Sequence, residues 1–321
     1  MSVLQSSYIQ ANGIRFHVVT AGCGPLLMFL HGFPAHWFMW HDQLLEFSKQ
    51  YHVAAPDTRG VNLSAKAAHL DGYQFAQLVE DVRALADALI GAGRKFSLVA
   101  HDWGGVVAWG FAMKHPELLE KLVIINAPHP VIFERELRHN PAQRQASNYT
   151  FAFNNFDGYR WDEKMADDGF VGLSQHLLRS AVTAGRYTAD DLQQWIEAWK
   201  TPGSLNAGLN YYRANNVNPP FNDQHPASTV ATCYSAQRVL AGIANTLITV
   251  PTLVIWGLAD DALMPGNLTG LEALVPNCKI KTYPDADHWL AVVRSQEVNA
   301  DIFNFLTSGE VLHARIREEV K

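Results

Sequence analysis

The segment from residue 96 to residue 105 constrains the fold of this chain more than any other. An apolar run, FSLVA at 96–100, is followed directly by HDWGG at 101–105, where a helical pattern begins. A sharp turn from strand to helix exposes one side chain and needs small residues two positions before and after it. Ala100 and Gly104 occupy those positions around Asp102. The segment therefore predicts a nucleophile elbow that carries Asp102 where many hydrolases carry serine.

Short apolar runs alternate with amphipathic segments through the first third of the chain. The runs LLMFL at 26–30, VAA at 53–55 and LVII at 122–125 have the length of buried strands, like FSLVA. Between them, apolar residues recur at helical spacing from Phe75 to Leu89. Such alternation predicts βαβ crossovers, and hence an α/β fold with a mainly parallel central sheet flanked by helices.

The pattern changes after Pro128 and changes back near Ala244. Strand signals are missing between them, and aromatic residues stand at helical spacing, as in Trp195 and Trp199. Strand patterns return with TLVIW at 252–256 and KIKTY at 279–283. We therefore predict three parts: the core's first part at 1–130, a helical cap at 131–245, and the core's second part at 246–321. A cap inserted there would cover the carboxyl ends of the strands, where open α/β sheets bind ligands.

Net charge and cysteine content indicate which partners and which cellular compartment to expect. The net charge is −6, from 25 basic and 31 acidic residues with no basic block, so no nucleic acid partner is expected. Three cysteines, at 23, 233 and 278, form neither a disulfide framework nor a CxxC metal pair. Together with the lack of a signal peptide or a membrane-spanning apolar run, they predict a cytoplasmic protein. The segment after Gly309 has the pattern of a closing surface helix or of a subunit contact, and the second interpretation would give a homodimer.

An aspartate at the elbow implies a particular chemistry. Its carboxylate can attack an sp³ carbon and form an alkyl ester, which water must then cleave with the help of a base. His288, in a loop after the strand KIKTY, is the predicted base, and Asp260 or Asp261, after TLVIW, is the acid that orients it. We prefer Asp260, three residues after Gly257, with Asp261 second. The alternative is that Asp102 only caps the following helix.

The loop after the strand LLMFL predicts an oxyanion hole. In this arrangement one backbone N–H comes from that loop and one from the residue after the nucleophile, here Phe33 and Trp103. We also expect the side chains of His31, Phe33 and Trp103 to line the substrate pocket. The alternative for HGFP at 31–34 is an ordinary turn rich in Gly and Pro.

The motifs together resemble the epoxide hydrolases of the α/β-hydrolase superfamily. The resemblance extends over nearly the whole chain and rests on HGFP at 31–34, DTRG at 57–60, HDWGG at 101–105, NAPHP at 126–130, LNYYR at 209–213 and DADHW at 285–289. It implies conversion of an epoxide to a vicinal diol with no metal and no organic cofactor.

Epoxide hydrolases of this kind use two cap tyrosines that donate hydrogen bonds to the epoxide oxygen. The resemblance implies that these are Tyr149, which heads YTFAF, and Tyr212, the second tyrosine of NYYR. In some relatives the acid follows the strand that here ends at LVII. That position holds Asn126, an amide, which leaves Asp260 or Asp261. Apolar cap residues predict a mainly apolar substrate, among them Phe151, Phe153, Phe156 and Trp161.

Two other functions compete with this interpretation. A haloalkane dehalogenase would use the same Asp-His-Asp triad, and HDWGG is shared with that family. Many dehalogenases carry a halide-binding Asn after the first His-Gly, whereas this chain has Phe33. A non-catalytic ligand-binding protein on the same scaffold is the second alternative. None of the triad, oxyanion-loop or tyrosine positions is lost, which disfavours it.

Overall fold

A computed structural model describes residues 3–154, 160–220 and 233–308. Its centre is an eight-stranded sheet of order β1-β2-β4-β3-β5-β6-β7-β8. All neighbouring strands from β4 to β8 run parallel, whereas β1–β2 and β2–β4 are antiparallel pairs. The strands are β1 (Gln5–Ala11), β2 (Ile14–Ala21), β3 (Leu26–Leu30), β4 (His52–Pro56), β5 (Phe96–His101), β6 (Leu119–Ile125), β7 (Thr252–Gly257) and β8 (Cys278–Tyr283).

The hairpin of β1 and β2 has no counterpart among the strands expected from the sequence. Most residues of β1 are exposed, so it carries no apolar run. The turn Asn12-Gly13, with both residues at positive φ, joins the strands where Ala11 pairs with Ile14. Asn-Gly is the strongest short sequence signal for such a hairpin, and it is the signal that the strand analysis missed.

Helices cover both faces of the sheet because buried residues alternate along the central strands. In β3, Met28 belongs to one apolar cluster and Leu27 and Phe29 to the other. The first cluster contains α2 and α3, and the second contains α1 and α14. Outside the region between β6 and β7, the helices are α1 (His41–Phe47), α2 (Phe75–Ile90), α3 (Trp103–Lys114), α13 (Leu290–Val293) and α14 (Ser295–Thr307).

The described part of the region between β6 and β7 contains helices joined by turns and irregular segments, and no strand. Its α-helices are α4 (Pro130–His139), α5 (Pro141–Ala146), α6 (Tyr149–Phe153), α7 (Trp161–Met165), α8 (Val171–Leu177), α9 (Arg179–Thr183), α10 (Ala189–Lys200), α11 (Ser204–Ala214) and α12 (Ala236–Val239). Hydrogen bonds hold it to the core, from Trp199 Nε1 to the Pro34 carbonyl (2.7 Å) and from the Tyr211 hydroxyl to the Arg59 carbonyl (2.9 Å). No helix within the described ranges is long and apolar enough to cross a bilayer.

Candidate active site

Asp102 lies at the tip of a strained turn between β5 and α3. Its backbone has φ 52° and ψ −126°, a conformation that non-glycine residues rarely adopt. The turn is closely packed, since a Cβ atom at Gly104 would lie 2.5 Å from the Leu30 carbonyl oxygen and one at Gly105 2.3 Å from the Ala127 Cβ. Packing thus requires a small residue at Gly104, as the sequence predicted, and also at Gly105. The turn brings the Asp102 side chain to the Phe33 amide and to His288.

The oxyanion loop meets Asp102 directly. The backbone N–H of Phe33 donates to Asp102 Oδ1 at 2.8 Å. Burial raises the pKa of Asp102 above its ordinary value, while the charge of His288 and the N–H groups of Trp103 and Phe33 act in the opposite direction. These two amides are therefore placed to stabilise negative charge on the Asp102 carboxyl group.

His288 lies between two carboxylates. Its Nδ1 is 2.8 Å from Asp260 Oδ2, and its Nε2 is 3.6 Å from Asp102 Oδ2. Burial alone would lower the pKa of His288, but the charge and hydrogen bond of Asp260 and the charge of Asp102 raise it to about 9. The imidazole is thus held in one orientation by Asp260, with its free nitrogen facing the elbow.

The two candidate acids, Asp260 and Asp261, differ in burial and in hydrogen bonding. Asp260 is 3% exposed, and its Oδ1 accepts from the N–H groups of Ala262 (2.8 Å) and Leu263 (2.9 Å). Burial would raise the pKa of Asp260, but the charge and hydrogen bond of His288 and the hydrogen bonds from Asn126 and Leu263 bring it below its ordinary value. Asp261 is exposed to solvent. The structure therefore brings Asp260, the preferred candidate, into the site.

Asn126 and His101 hold Asp260 and His288 in place, a role that the sequence did not predict for either residue. Asn126 donates from Nδ2 to Asp260 Oδ2 (2.5 Å) and accepts from the Gly257 N–H at Oδ1 (3.0 Å). His101 donates from Nε2 to the His288 carbonyl oxygen (2.9 Å), and burial lowers its pKa to about 3. The signal for Asn126 was its position after β6, because β6 and β7 are adjacent and parallel.

His31, which the sequence predicted to line the substrate pocket, is buried and bonded to backbone groups on both sides of its ring. Its ring is 1% exposed, with Nδ1 donating to the Gly32 carbonyl (2.8 Å) and Nε2 accepting from the Thr58 N–H (2.9 Å). Burial lowers the pKa of His31. Both ring nitrogens thus hold backbone segments together, and they fix the loop that presents the Phe33 amide.

The two tyrosines lie on different helices and are near enough to Asp102 for its charge to act on both hydroxyls. Tyr149 begins α6 and is 38% exposed, whereas Tyr212, on α11, is 4% exposed. Their ring centroids are 6.3 Å apart, and the Tyr212 ring is 5.2 Å from that of Trp103. Although Tyr149 as a whole is partly exposed, its hydroxyl group is buried, and burial raises the pKa of both hydroxyls; the charge of Asp102 raises both further. The two hydroxyls therefore remain protonated near Asp102.

Aromatic side chains surround these hydroxyl groups. Phe153 packs against Tyr149 and Tyr212, with ring centroids 5.1 Å apart in both pairs, and lies 5.7 Å from Phe33. Phe151 is buried at 1%, and Phe156 lies outside the described residues. Across the described ranges, no group of three or more His, Cys, Asp and Glu residues is arranged to hold a metal ion.

Known proteins match both this fold and most of the chain. The family model of the alpha/beta hydrolase fold matches residues 25–295, so the fold and the site define a member of that family. "Epoxide hydrolase 4" of Mus musculus is 32% identical over 93% of this chain and 78% of its own length. "AB hydrolase superfamily protein YfhM" of Bacillus subtilis is 33% identical over 95% of this chain and 99% of its own.

Solved structures narrow the family further. An epoxide hydrolase from Bacillus megaterium, solved with an inhibitor, has a TM-score of 0.83 and 36% sequence identity, covering 94% of this chain and 100% of that one. An epoxide hydrolase from metagenomes of hot environments has a TM-score of 0.77 and 33% identity, covering 95% and 99%. The chain belongs to the epoxide hydrolases of the α/β-hydrolase superfamily.

Proposed function

We propose that the protein hydrolyses epoxides to vicinal diols through an ester on Asp102. The observation that carries this proposal is the pairing of Tyr149 and Tyr212, whose rings lie 6.3 Å apart, with the Tyr212 ring 5.2 Å from that of Trp103, the neighbour of Asp102. The charge of Asp102 helps to keep both hydroxyls protonated. A carboxylate facing two phenols suits a substrate whose carbon is attacked while its oxygen gains charge. An epoxide is such a substrate.

The first step is ring opening. Tyr149 and Tyr212 donate hydrogen bonds to the epoxide oxygen, and Oδ2 of Asp102 attacks a ring carbon in line with the bond that breaks. The electron pair of that carbon–oxygen bond goes to the epoxide oxygen, which takes a proton from a tyrosine. Oδ1 stays with the Phe33 amide, 2.8 Å away, and becomes the carbonyl oxygen of the ester.

The second step is hydrolysis of the ester. His288 accepts a proton from water, which attacks the carboxyl carbon of Asp102, and the amides of Phe33 and Trp103 stabilise the tetrahedral oxyanion. Collapse breaks the bond between the Asp102 carboxyl carbon and Oδ2, which leaves with the substrate as an alkoxide. The alkoxide takes the proton held by His288 and becomes the diol. The second proton of the water leaves the new carboxyl group and returns the tyrosinate to its phenol form, so Asp102 is again a carboxylate. Esterification removes the Asp102 charge, one of the interactions that raise the pKa of His288. That pKa therefore falls at the step in which His288 must act as a base.

The proposal extends to organisation and location. Residues 131–245 act as the cap, since Tyr149 and Tyr212 both come from helices of that region. The cysteines at 23, 233 and 278 form no disulfide bond within the described residues, and the second of them is buried, which suits a reducing cytoplasm. The segment after Gly309, considered for a homodimer contact, lies outside the described residues.

Product analysis tests this function. A variant of the Bacillus megaterium enzyme holds its product (R)-3-[1]naphthyloxy-propane-1,2-diol, so 1-naphthyl glycidyl ether and a matched bromoalkane are suitable probes. We expect diol from the wild type and no halide release. Tyr149→Phe and Tyr212→Phe should each slow diol formation by about 10²-fold, the lower end of what a positioned acid contributes, because the other tyrosine remains. Tyr8→Phe, on the exposed strand β1, is the control. Halide release without diol would contradict the proposal and favour a dehalogenase.

A further inference from the structure

Gln143, on α5, has the most completely satisfied side-chain amide in the region. It is fully buried at 0% exposure. Its Nε2 donates to Ser147 Oγ (2.9 Å) and to the Ala262 carbonyl (2.8 Å), and its Oε1 accepts from the Met264 N–H (2.9 Å) and from Asn267 Nδ2 (2.7 Å). These four bonds use the two donors and two acceptor sites of a glutamine amide in full. The side chain therefore has one defined orientation.

Through Ser147, the Gln143 amide is connected to the helix that begins at Tyr149. Ser147, 2% exposed, connects α5 to α6. Its carbonyl accepts both the N–H (3.1 Å) and the hydroxyl (2.8 Å) of Thr150, in the first turn of α6. With five residues, α6 is too short to be stable alone, so bonds to the rest of the protein decide its position.

The Gln143 amide also bonds to the loop that carries Asp260, the proposed triad acid. Gln143 bonds to the Ala262 carbonyl and the Met264 N–H. Asp260 accepts from the N–H groups of Ala262 and Leu263 in the same segment. The short segment at 262–264 is thus held by the catalytic carboxylate on one side and by Gln143 on the other.

We propose that Gln143 is a positioning residue for epoxide opening, which joins the segment carrying Tyr149 to the loop carrying Asp260. This inference rests on the function proposed above. Gln143 touches neither substrate nor nucleophile; it sets where the Tyr149 hydroxyl lies relative to Asp102. A displacement of about 1 Å at a reacting geometry can cost about 10²-fold in rate, so loss of the link should appear in the chemical step.

The test compares two buried glutamines. Gln143→Leu removes all four bonds, whereas Gln43→Leu changes a glutamine that is equally buried and donates to the Ala291 carbonyl (3.0 Å). In single-turnover ring opening of 1-naphthyl glycidyl ether, we expect Gln143→Leu to be slower by about 10- to 100-fold. Gln43→Leu should stay within about threefold of wild type even where both lose thermal stability. Equal slowing of both variants would overturn the proposal.

A double-mutant cycle separates positioning from general damage. In the Tyr149→Phe background, Gln143→Leu should slow ring opening by less than about threefold, because the group that it positions is already gone. A full effect in that background would refute the role. If Gln143→Leu does not fold, Gln143→Glu keeps the shape while losing the two hydrogen bonds that Nε2 donates, to Ser147 and Ala262. Its rate should lie between those of wild type and Tyr149→Phe; a wild-type rate would refute the proposal.

Hydrogen exchange distinguishes failure of this proposal from failure of the proposed function. Amide exchange across residues 147–153 should quicken in Gln143→Leu and not in Gln43→Leu. If the wild type opens no epoxide, the proposed function fails. Unchanged exchange in Gln143→Leu would refute the positioning role whatever the wild type catalyses.

Discussion

Substitution of Gly32 by alanine should block ring opening by moving the nucleophile. A Cβ atom at Gly32 would lie 2.0 Å from Oδ1 and 2.4 Å from Cβ of Asp102. Comfortable contact needs about 3.5 Å, so the Asp102 side chain must move by about 1.5 Å. That shift breaks its 2.8 Å bond with the Phe33 amide. A misplacement of this size predicts a rate loss of at least about 10²-fold, which is about 2.7 kcal/mol in the barrier.

The assay is the single-turnover rate of ester formation, measured for Gly32→Ala beside Gly172→Ala. The control lies in α8, where an added Cβ meets only Asp168 Oδ2 at 3.6 Å, an ordinary contact. Gly172→Ala should therefore react at the wild-type rate. A rate for Gly32→Ala within threefold of wild type would refute the reasoning, because it would mean that close packing of the loop on Asp102 does not position the nucleophile.

Two other predictions concern the triad. Asp260→Asn should slow ester hydrolysis by about 10³- to 10⁴-fold, because the amide no longer holds the imidazole in the required tautomer, while the exposed Asp261→Asn should change it by less than threefold. If ester hydrolysis is slow in Asp261→Asn instead, Asp261 is the acid and the assignment to Asp260 is wrong. The pKa of His288 is raised to about 9 in the folded protein, so its contribution to stability is present in full below about pH 6.5 and is lost as pH rises through about 9. In urea titrations, the stability of the wild type relative to His288→Gln should fall over that window; a constant difference would show that His288 is not charged between its two carboxylates.

The parts of the fold and site that the sequence predicted are those governed by local pattern. The buried run at 96–100 and the small residues Ala100 and Gly104 predicted the elbow, and at Gly104 packing against the Leu30 carbonyl excludes a larger side chain. The position of His288 could be predicted because it follows β8, at the carboxyl ends of the parallel strands, where the elbow also lies. The hairpin of β1 and β2 was missed because its edge strand is exposed, which leaves only the Asn12-Gly13 turn as a signal.

Other features depend on contacts that no local pattern records. Asp260 and Asp261 are adjacent in sequence, and the loop backbone alone decides that the first faces His288 and the second faces solvent. Asn126 bonds to a residue 134 positions away, and Gln143 bonds to residues 119 to 124 positions away. Partners at such separations are fixed by the packing of the helical region on the core.

The position of an oxygen label after one turnover tests the ester on Asp102 most directly. Enzyme in excess over 1-naphthyl glycidyl ether, in ¹⁸O-labelled water, should give a diol that carries no label, because its new oxygen comes from Asp102. The label should appear in the Asp102 carboxyl group, found by mass spectrometry of the peptide that contains it. Label in the first-turnover diol, with none in Asp102, would contradict the account, since water would then attack the epoxide directly.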